Sequence, residues 1–200
     1  MSGNRTLIFA SSNPNKISEI NALIGKSYNV IGLADIGLLE EIPEPGSTIK
    51  ENSFLKAQYV VEYLKKQGKN LPVFADDSGL EVEALNNEPG VYSARYAGIP
   101  KDDKANNAKL LKALQNITKR NARFVTVITL IIDGDVHYFE GEVQGTISYE
   151  GRGSNGFGYD PLFIPQGYRS TFAELSAEIK NSISHRGKAI QKLIAFLNSE

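Results

Sequence analysis

Cysteine is absent from this chain of 200 residues, and histidine occurs only twice, at His137 and His185. The first absence excludes disulfides, thiolate zinc sites and cysteine nucleophiles. The second excludes a histidine-rich metal centre. Net charge is almost absent as well. With 22 basic and 23 acidic residues the chain carries −1 at neutral pH, which gives no bulk electrostatic reason to bind nucleic acid or an anionic membrane. A local basic pocket for a small anion is compatible with that balance. Long apolar runs are missing too: the first, Thr6 to Ala10, is far too short for a signal-peptide core or a membrane span. These absences point to a cytoplasmic protein. The length allows one sizeable core or two small ones. With no repeat, low-complexity tract or obvious linker in it, the chain is read as a single domain over residues 1–200.

The order of patterns is that of an α/β protein. Thr6-Leu7-Ile8-Phe9-Ala10 reads as a buried first strand, followed by a polar turn and a helical spacing at Ile17, Ile20, Leu23 and Ile24. Tyr28 to Gly32 reads as a second strand, and an acidic, proline-bearing loop runs from Glu40 to Gly46. Thr48 with Glu51 three residues on is a capping box. It opens a helix whose expected apolar stripe is Phe54, Leu55, Ala57, Val60, Val61 and Leu64. The next strand is expected to end at Asp76-Asp77, with Ser78-Gly79 as a turn. Asp102 or Asp103 caps a helix running towards Leu114. Phe124 to Ile132 is apolar and β-branched, meets the hairpin signal Asp133-Gly134-Asp135, and returns as a strand from Val136 to Val143. A glycine-rich stretch, Gly151 to Gly158, precedes Tyr159 to Ile164. The chain closes in a helix with apolar residues at Ala189, Ile190, Leu193, Ile194, Phe196 and Leu197. The long hairpin makes the expected sheet mixed rather than purely parallel.

Four polar constellations stand at the ends of these elements, where a sheet protein usually carries its site. The most informative is the pair Asp76 and Asp77. Adjacent like charges cost free energy unless a positive partner sits beside them. A divalent cation such as Mg²⁺ is the simplest partner for hard oxygen ligands, although a solvated turn would use the same residues. Glu44 is a candidate third carboxylate. One carboxylate could hold a metal while another orients or deprotonates a water.

Ser11, Ser12, Asn13, Pro14, Asn15 and Lys16 lead from strand to helix, a layout that aims backbone N–H groups at an anion. Without Walker spacing the segment, taken alone, reads better as a helix-capping turn with an exposed lysine. In Gly156-Phe157-Gly158-Tyr159-Asp160, Phe157 could stack on a planar base, while Tyr159 and Phe163 are expected to return to the core. Lys180, His185 and Arg186 gather near the start of the last helix, where the helix dipole disfavours positive charge. A bound anion would compensate that conflict; a plain N-cap at Ser184 would explain the segment without one.

Five segments carry a resemblance: Ala10-Ser11-Ser12-Asn13 with Lys16; Ala75-Asp76-Asp77-Ser78-Gly79-Leu80; Pro89-Gly90-Val91-Tyr92-Ser93-Ala94-Arg95-Tyr96; Gly156-Phe157-Gly158-Tyr159-Asp160-Pro161-Leu162-Phe163; and Ser184-His185-Arg186. In this order and spacing the chain resembles the inosine/xanthosine triphosphate pyrophosphatase family, from Leu7 nearly to the C-terminus. The resemblance implies a Mg²⁺-dependent hydrolase that cuts ITP, dITP or XTP into the nucleoside monophosphate and pyrophosphate. It implies an elongated α/β fold of two lobes around a long mixed sheet with flanking helices, an active-site cleft between the lobes, and a homodimer. By the same resemblance Ser11 through Lys16 would wrap the phosphates. Asp77 would be the general base and, with Glu44, a metal ligand. Ser78 would contact substrate, Phe157 through Asp160 would bind the nucleoside, and Lys180, His185 and Arg186 would grip base and phosphates.

Two departures stand out. Ser11-Ser12-Asn13-Pro14 replaces the Thr-Gly-Asn common in the family, which narrows backbone freedom at Ser12. Pro43-Glu44-Pro45-Gly46 replaces Glu-Glu-Thr-Gly; counting back from Gly46 favours Glu44, with Glu41 the other candidate.

Water attack on phosphorus needs positioning and charge neutralisation more than covalent chemistry, which suits a chain without cysteine. Lys16, Lys180, Arg186 and Mg²⁺ would supply the positive charge. Donors such as the Arg186 guanidinium and His185 suit the 6-oxo group of hypoxanthine or xanthine and clash with the 6-amino group of adenine, a mismatch worth roughly 10⁴ in favourable sites. Two other readings fit the sequence less well. A pyrophosphatase for modified pyrimidine nucleotides is disfavoured by Ser184-His185-Arg186. A non-hydrolytic purine nucleotide-binding protein is disfavoured by Asp76, Asp77 and Lys16.

Overall fold

Strand β1 (Arg5–Phe9) opens the described part of the chain; the computed structural model describes residues 5–25 and 28–199. It is followed by α1 (Pro14–Ile24), β2 (Tyr28–Ile31), α2 (Ile49–Lys66), β3 (Val73–Val82), β4 (Pro89–Gly90) and α3 (Asp103–Ala113). Then come β5 (Asn121–Ile132), β6 (Asp135–Ile147), β7 (Phe163–Pro165), α4 (Ala177–Ile183) and α5 (His185–Leu197). Seven strands form one open mixed sheet in the order β2-β1-β3-β5-β6-β7, with β4 paired to β3. β1 runs parallel to β2 and β3, whereas β4 is antiparallel to β3 and β7 to β6. The β5–β6 turn has Asp133 and Gly134 at φ 51° and 95°, the left-handed pair that matches the twist of a two-residue hairpin. Among the described residues no helix is long and apolar enough to cross a membrane.

Three expectations are corrected. β3 does not stop at the acidic pair but runs ten residues, through Asp76-Asp77-Ser78-Gly79 to Val82. Leu80 and Val82 are buried, and Leu80 and Glu81 pair with Gly90 and Pro89 of β4, so pairing and burial override the turn chemistry of Ser-Gly. On α2 the buried face is Ile49, Asn52, Ser53, Lys56, Ala57, Val60 and Leu64; of the expected stripe Phe54 and Val61 are half-buried but still pack against the core, and Leu55 is half-buried. Polar side chains occupy that face because each finds a partner there. Asn52 accepts from Gly46 N at 2.7 Å, and Ser53 Oγ lies 3.1 Å from the Ala75 carbonyl and 2.8 Å from Thr129 Oγ1. The third correction concerns Lys180, which belongs to a separate short helix, α4, capped by Ser176. The capping box at Thr48 and Glu51 forms as predicted, with both bonds at 3.1 Å.

The chain divides into two compact units. The first comprises Met1–Asp77, Val127–Glu140 and Ala189–Glu200. Its central strands are buried on both faces, which is why β1 reads as an unbroken apolar run. Alternation sends Leu7, Phe9 and Phe74 towards α1 and α5, where Ile20, Ile24, Ile190 and Leu193 pack. It sends Ile8, Ala10, Val73 and Ala75 towards Ala57, Val60 and Leu64 of α2. The second unit comprises Ser78–Thr126 and Gly141–Lys188. Its core gathers Leu80, Val82, Leu110, Leu114, Phe124, Ile147, Tyr159, Phe163 and Phe172. Arg120, buried at 5% exposure, closes this core by donating to the carbonyls of Leu114, Ile117, Ile147 and Ser148.

β7 pairs with β6 at Gly145–Ile147. Earlier along β6 the Glu142 carbonyl accepts from Lys188 Nζ at 2.8 Å, and the Glu140 carbonyl from Lys192 Nζ at 2.7 Å.

Candidate active site

In the first unit, the segment expected to face an anion is a capped helix start. Asn13 Oδ1 accepts from Asn15 N at 3.0 Å and Lys16 N at 3.2 Å, and Pro14 follows it at the first helical position, where its missing N–H costs nothing. Ser11 Oγ accepts from Asn13 N at 3.2 Å, while Ser12 and Asn15 are exposed. The Lys16 side chain reaches β3, where Nζ lies 3.0 Å from Asp76 Oδ1.

Asp77, the neighbouring carboxylate, has a different cation. Lys56 Nζ lies 3.4 Å from Asp77 Oδ1 and 2.7 Å from Glu44 Oε1, so the geometry brings Glu44 to Asp77's partner, while Glu41 is exposed. The Glu44 loop is pinned at Gly46 by Asn52 and at Ser47 by Glu51, whose Oε2 accepts from Ser47 N and Oγ at 2.8 Å. Lys56 is a site residue the sequence reading missed. Its signal was present: a lysine in register with Ile49, Val60 and Leu64 on the buried stripe is expensive unless it is paired.

These charges tune one another. Burial pushes the Asp77 carboxyl above the ordinary range, opposed by the nearby Lys56 and Lys16 ammonium groups and reinforced by Glu44 and Asp76. Burial alone would lower the Lys56 amine. Asp77, Glu44 and Asp76 together outweigh it, and the amine stands above its usual value.

A divalent ion is compatible with this donor set. Among the described residues Asp77 Oδ2 is buried without a hydrogen-bond donor, and such an orphaned oxygen suits a hard cation. Among the same residues no group of three or more acidic or histidine side chains is arranged as a metal centre. The fit therefore rests on Glu44 and Asp77, and Mg²⁺ commonly takes only one or two protein carboxylates.

In the second unit, Ser78 Oγ lies 2.6 Å from Thr126 Oγ1 and accepts from Arg186 Nη2 at 3.1 Å. Thr126 was not anticipated. His185 stacks on Phe124, ring centroids 4.6 Å apart and ring planes nearly parallel. Ser184 caps α5, its Oγ accepting from Gly187 N at 3.0 Å. Gly187 is obligatory, because a Cβ there would lie 1.9 Å from the Asn181 carbonyl oxygen.

Asp160 is buried and its Oδ2 accepts from Lys180 Nζ at 2.6 Å and Phe157 N at 2.8 Å. The turn depends on Gly156, whose φ is +74° and whose Cβ, if present, would lie 2.0 Å from that same oxygen. The Phe157 ring, half-buried, has Lys180 Nζ 5.0 Å and Arg186 Cζ 5.7 Å from its centroid. Tyr159 and Phe163 return to the core as predicted, and Tyr159 donates to the Ser93 carbonyl at 2.8 Å. Gly158 is bound through its backbone to Asp103 and Asn107 of α3.

The first unit thus carries two lysines on three carboxylates, one of them with a raised pKa and an open oxygen: equipment for a polyanion and for activating water. The second carries buried cations beside a half-buried aromatic ring: equipment for a planar polar ring. The model of the Ham1 family matches residues 7–196. A protein of Flavobacterium johnsoniae named dITP/XTP pyrophosphatase is 52% identical over 193 residues, covering 96% of this chain and 98% of that one. One of the same name from Porphyromonas gingivalis is 52% identical over 192 residues, covering 96% of each chain. The solved structure of the Staphylococcus aureus Ham1 protein is similar at a TM-score of 0.87 and 45% identity, covering 98% of this chain and 99% of that one.

Proposed function

This chain belongs to the Ham1 family, and from that premise we propose that it hydrolyses dITP, ITP and XTP to the nucleoside monophosphate and pyrophosphate with Mg²⁺, removing non-standard purines from the nucleotide pool. Relatives named for dITP and XTP, matched over nearly their whole length at about half identity, support the substrate class. In this reading the helix start from Ser11 to Lys16 receives phosphate oxygens, with Lys16 neutralising charge. Asp77 orients the attacking water and takes its proton. Glu44 and Asp77 would hold Mg²⁺, which supplies further neutralisation of the triphosphate. Lys56 opposes, without cancelling, the rise that burial imposes on the Asp77 carboxyl.

Phe157 stacks on the base, and Ser78, Gly158, Tyr159 and Asp160 shape its surroundings. Lys180, His185 and Arg186 supply donors to the 6-oxo group, which adenine cannot match. The nearly neutral chain gives no reason to add nucleic acid as a partner. Family resemblance supports a cytoplasmic homodimer.

The observation that carries the reading is the buried Asp77 carboxylate, cation-paired on one oxygen and open on the other. The test is phosphate release, coupled to inorganic pyrophosphatase, on dITP, XTP, dGTP and dATP with and without Mg²⁺. Turnover of dITP and XTP well above dATP, only with the metal, is expected. Equal turnover of all four would overturn the selectivity, and no release from any would overturn the activity.

A further inference from the structure

One glycine of the second unit has both backbone polar groups taken by a single helix. Gly158 N donates to Asp103 Oδ2 at 2.7 Å, and Gly158 O accepts from Asn107 Nδ2 at 2.9 Å. Asp103 and Asn107 are four residues apart on α3, so they share a face. The first bond holds the peptide between Phe157 and Gly158; the second holds the peptide between Gly158 and Tyr159. Neither plane can rotate without breaking one of them.

The helix that does this is itself fixed. Asn106 Oδ1 accepts from Ala97 N at 2.7 Å and its Nδ2 donates to the Ala94 carbonyl at 3.1 Å, while Leu110 is fully buried. The other end of the loop is fixed by Asp160 on Phe157 N and by the Tyr159 hydroxyl on Ser93. Phe157 therefore sits between two anchors. The backbone that carries its ring is thereby held on both sides, and Lys180 and Arg186 lie over the ring itself.

Gly158 has φ +61° and open space where a Cβ would lie, so nothing steric holds it; the hydrogen bonds do. Asn107 also keeps a cost: its Oδ1 is buried and, among the described residues, has no donor, a burden of the kind that persists where an amide is needed for one particular bond.

We infer that Asp103, assisted by Asn107, is a positioning residue for base recognition: by fixing Gly158 it sets the angle at which the Phe157 ring meets the purine, and so governs discrimination between 6-oxo and 6-amino purine triphosphates. The inference rests on the assignment of Phe157 to the base. Asp103 touches neither water nor phosphate in this scheme, so its effect falls on binding and selectivity rather than on the chemical step.

The test compares Asp103→Ala, Asp103→Asn and Asn107→Ala with the parent enzyme, measuring kcat and KM for dITP and dATP with Mg²⁺, alongside thermal melting. Asp103→Ala is expected to raise KM for dITP about tenfold with kcat changed less than about twofold, and to lower the dITP/dATP ratio of kcat/KM about tenfold. Asn107→Ala should move the same quantities in the same direction by less. Asp103→Asn should recover most of the loss, since its amide oxygen can still accept from Gly158 N. An unchanged selectivity ratio in Asp103→Ala overturns the inference, whether or not its melting temperature falls. Failure of Asp103→Asn to recover anything also overturns it. If the parent enzyme itself does not distinguish dITP from dATP, the proposed function fails and this inference falls with it, a result visible before any variant is made.

Discussion

Lys16 and Asp76, sixty positions apart in the chain, meet at 3.0 Å, with the Asp76 side chain 1% exposed. Adjacent carboxylates on β3 thus have separate cations: Asp76 holds Lys16, and Asp77 shares Lys56 with Glu44. The two substitutions should therefore part company in steady-state kinetics. Asp77→Asn removes the proposed base and should lower kcat by about 10³. Asp76→Asn loosens Lys16 and should raise KM for dITP about tenfold with a much smaller effect on kcat. Equal losses of kcat in the two variants would contradict the division of labour.

Asp77 also predicts a pH dependence of stability. Its carboxyl stands above the ordinary range chiefly because it is buried, so the folded state favours the protonated form. A group raised in this way contributes stability below its unfolded pKa, near about 4, and loses that contribution as pH rises through the folded value. Asn resembles the protonated acid and does not titrate. The melting temperature of Asp77→Asn, taken relative to the parent, should therefore fall on acidification from neutral pH towards pH ~4. A relative melting temperature that rises on acidification would refute this.

Gly187→Ala tests the junction that delivers His185 and Arg186. The new Cβ would lie 1.9 Å from the Asn181 carbonyl oxygen, and backbone cannot yield as a flexible side chain would. A loss of about 2–4 kcal/mol in urea unfolding is expected, against about 1 kcal/mol for Ser184→Ala, which removes only the cap.

Arg120→Met tests the buried clasp of the second unit. Four carbonyls would lose a bond to the guanidinium, although Leu114 O keeps Ile117 N as a donor, and unsatisfied buried acceptors cost about 1–3 kcal/mol each where water cannot reach them. Calorimetry should show a large fall in melting temperature. Turnover of the fraction still folded should be close to normal, since Arg120 touches none of the proposed substrate groups.

Much of this architecture was legible from pattern. The Thr48–Glu51 box, the Asp133-Gly134 hairpin and the final amphipathic helix carry local signals, and each formed where expected. Failures came where tertiary partners decide. Asp-Asp-Ser-Gly is turn-like by composition, yet β4 and the core at Leu80 extend the strand through it. Lys56 was hidden because a lysine on a helix is ordinarily solvated; only Glu44 and Asp77, distant in sequence, make its burial affordable. α4 is seven residues long, too short for periodicity to announce. The resemblance named Asp77, Arg186 and, with Glu41 as the other candidate, Glu44, but it could not show that Thr126 bonds Ser78 or that two side chains of α3 hold Gly158.

Lys188 and Lys192 lay ammonium groups on the Glu142 and Glu140 carbonyls of β6. A bare row of acceptors there would invite a strand from another molecule to extend the sheet indefinitely. Acetylation of these lysines, which takes away their charge, or their truncation to alanine should therefore leave the fold nearly as stable but make concentrated solutions prone to fibrous self-association.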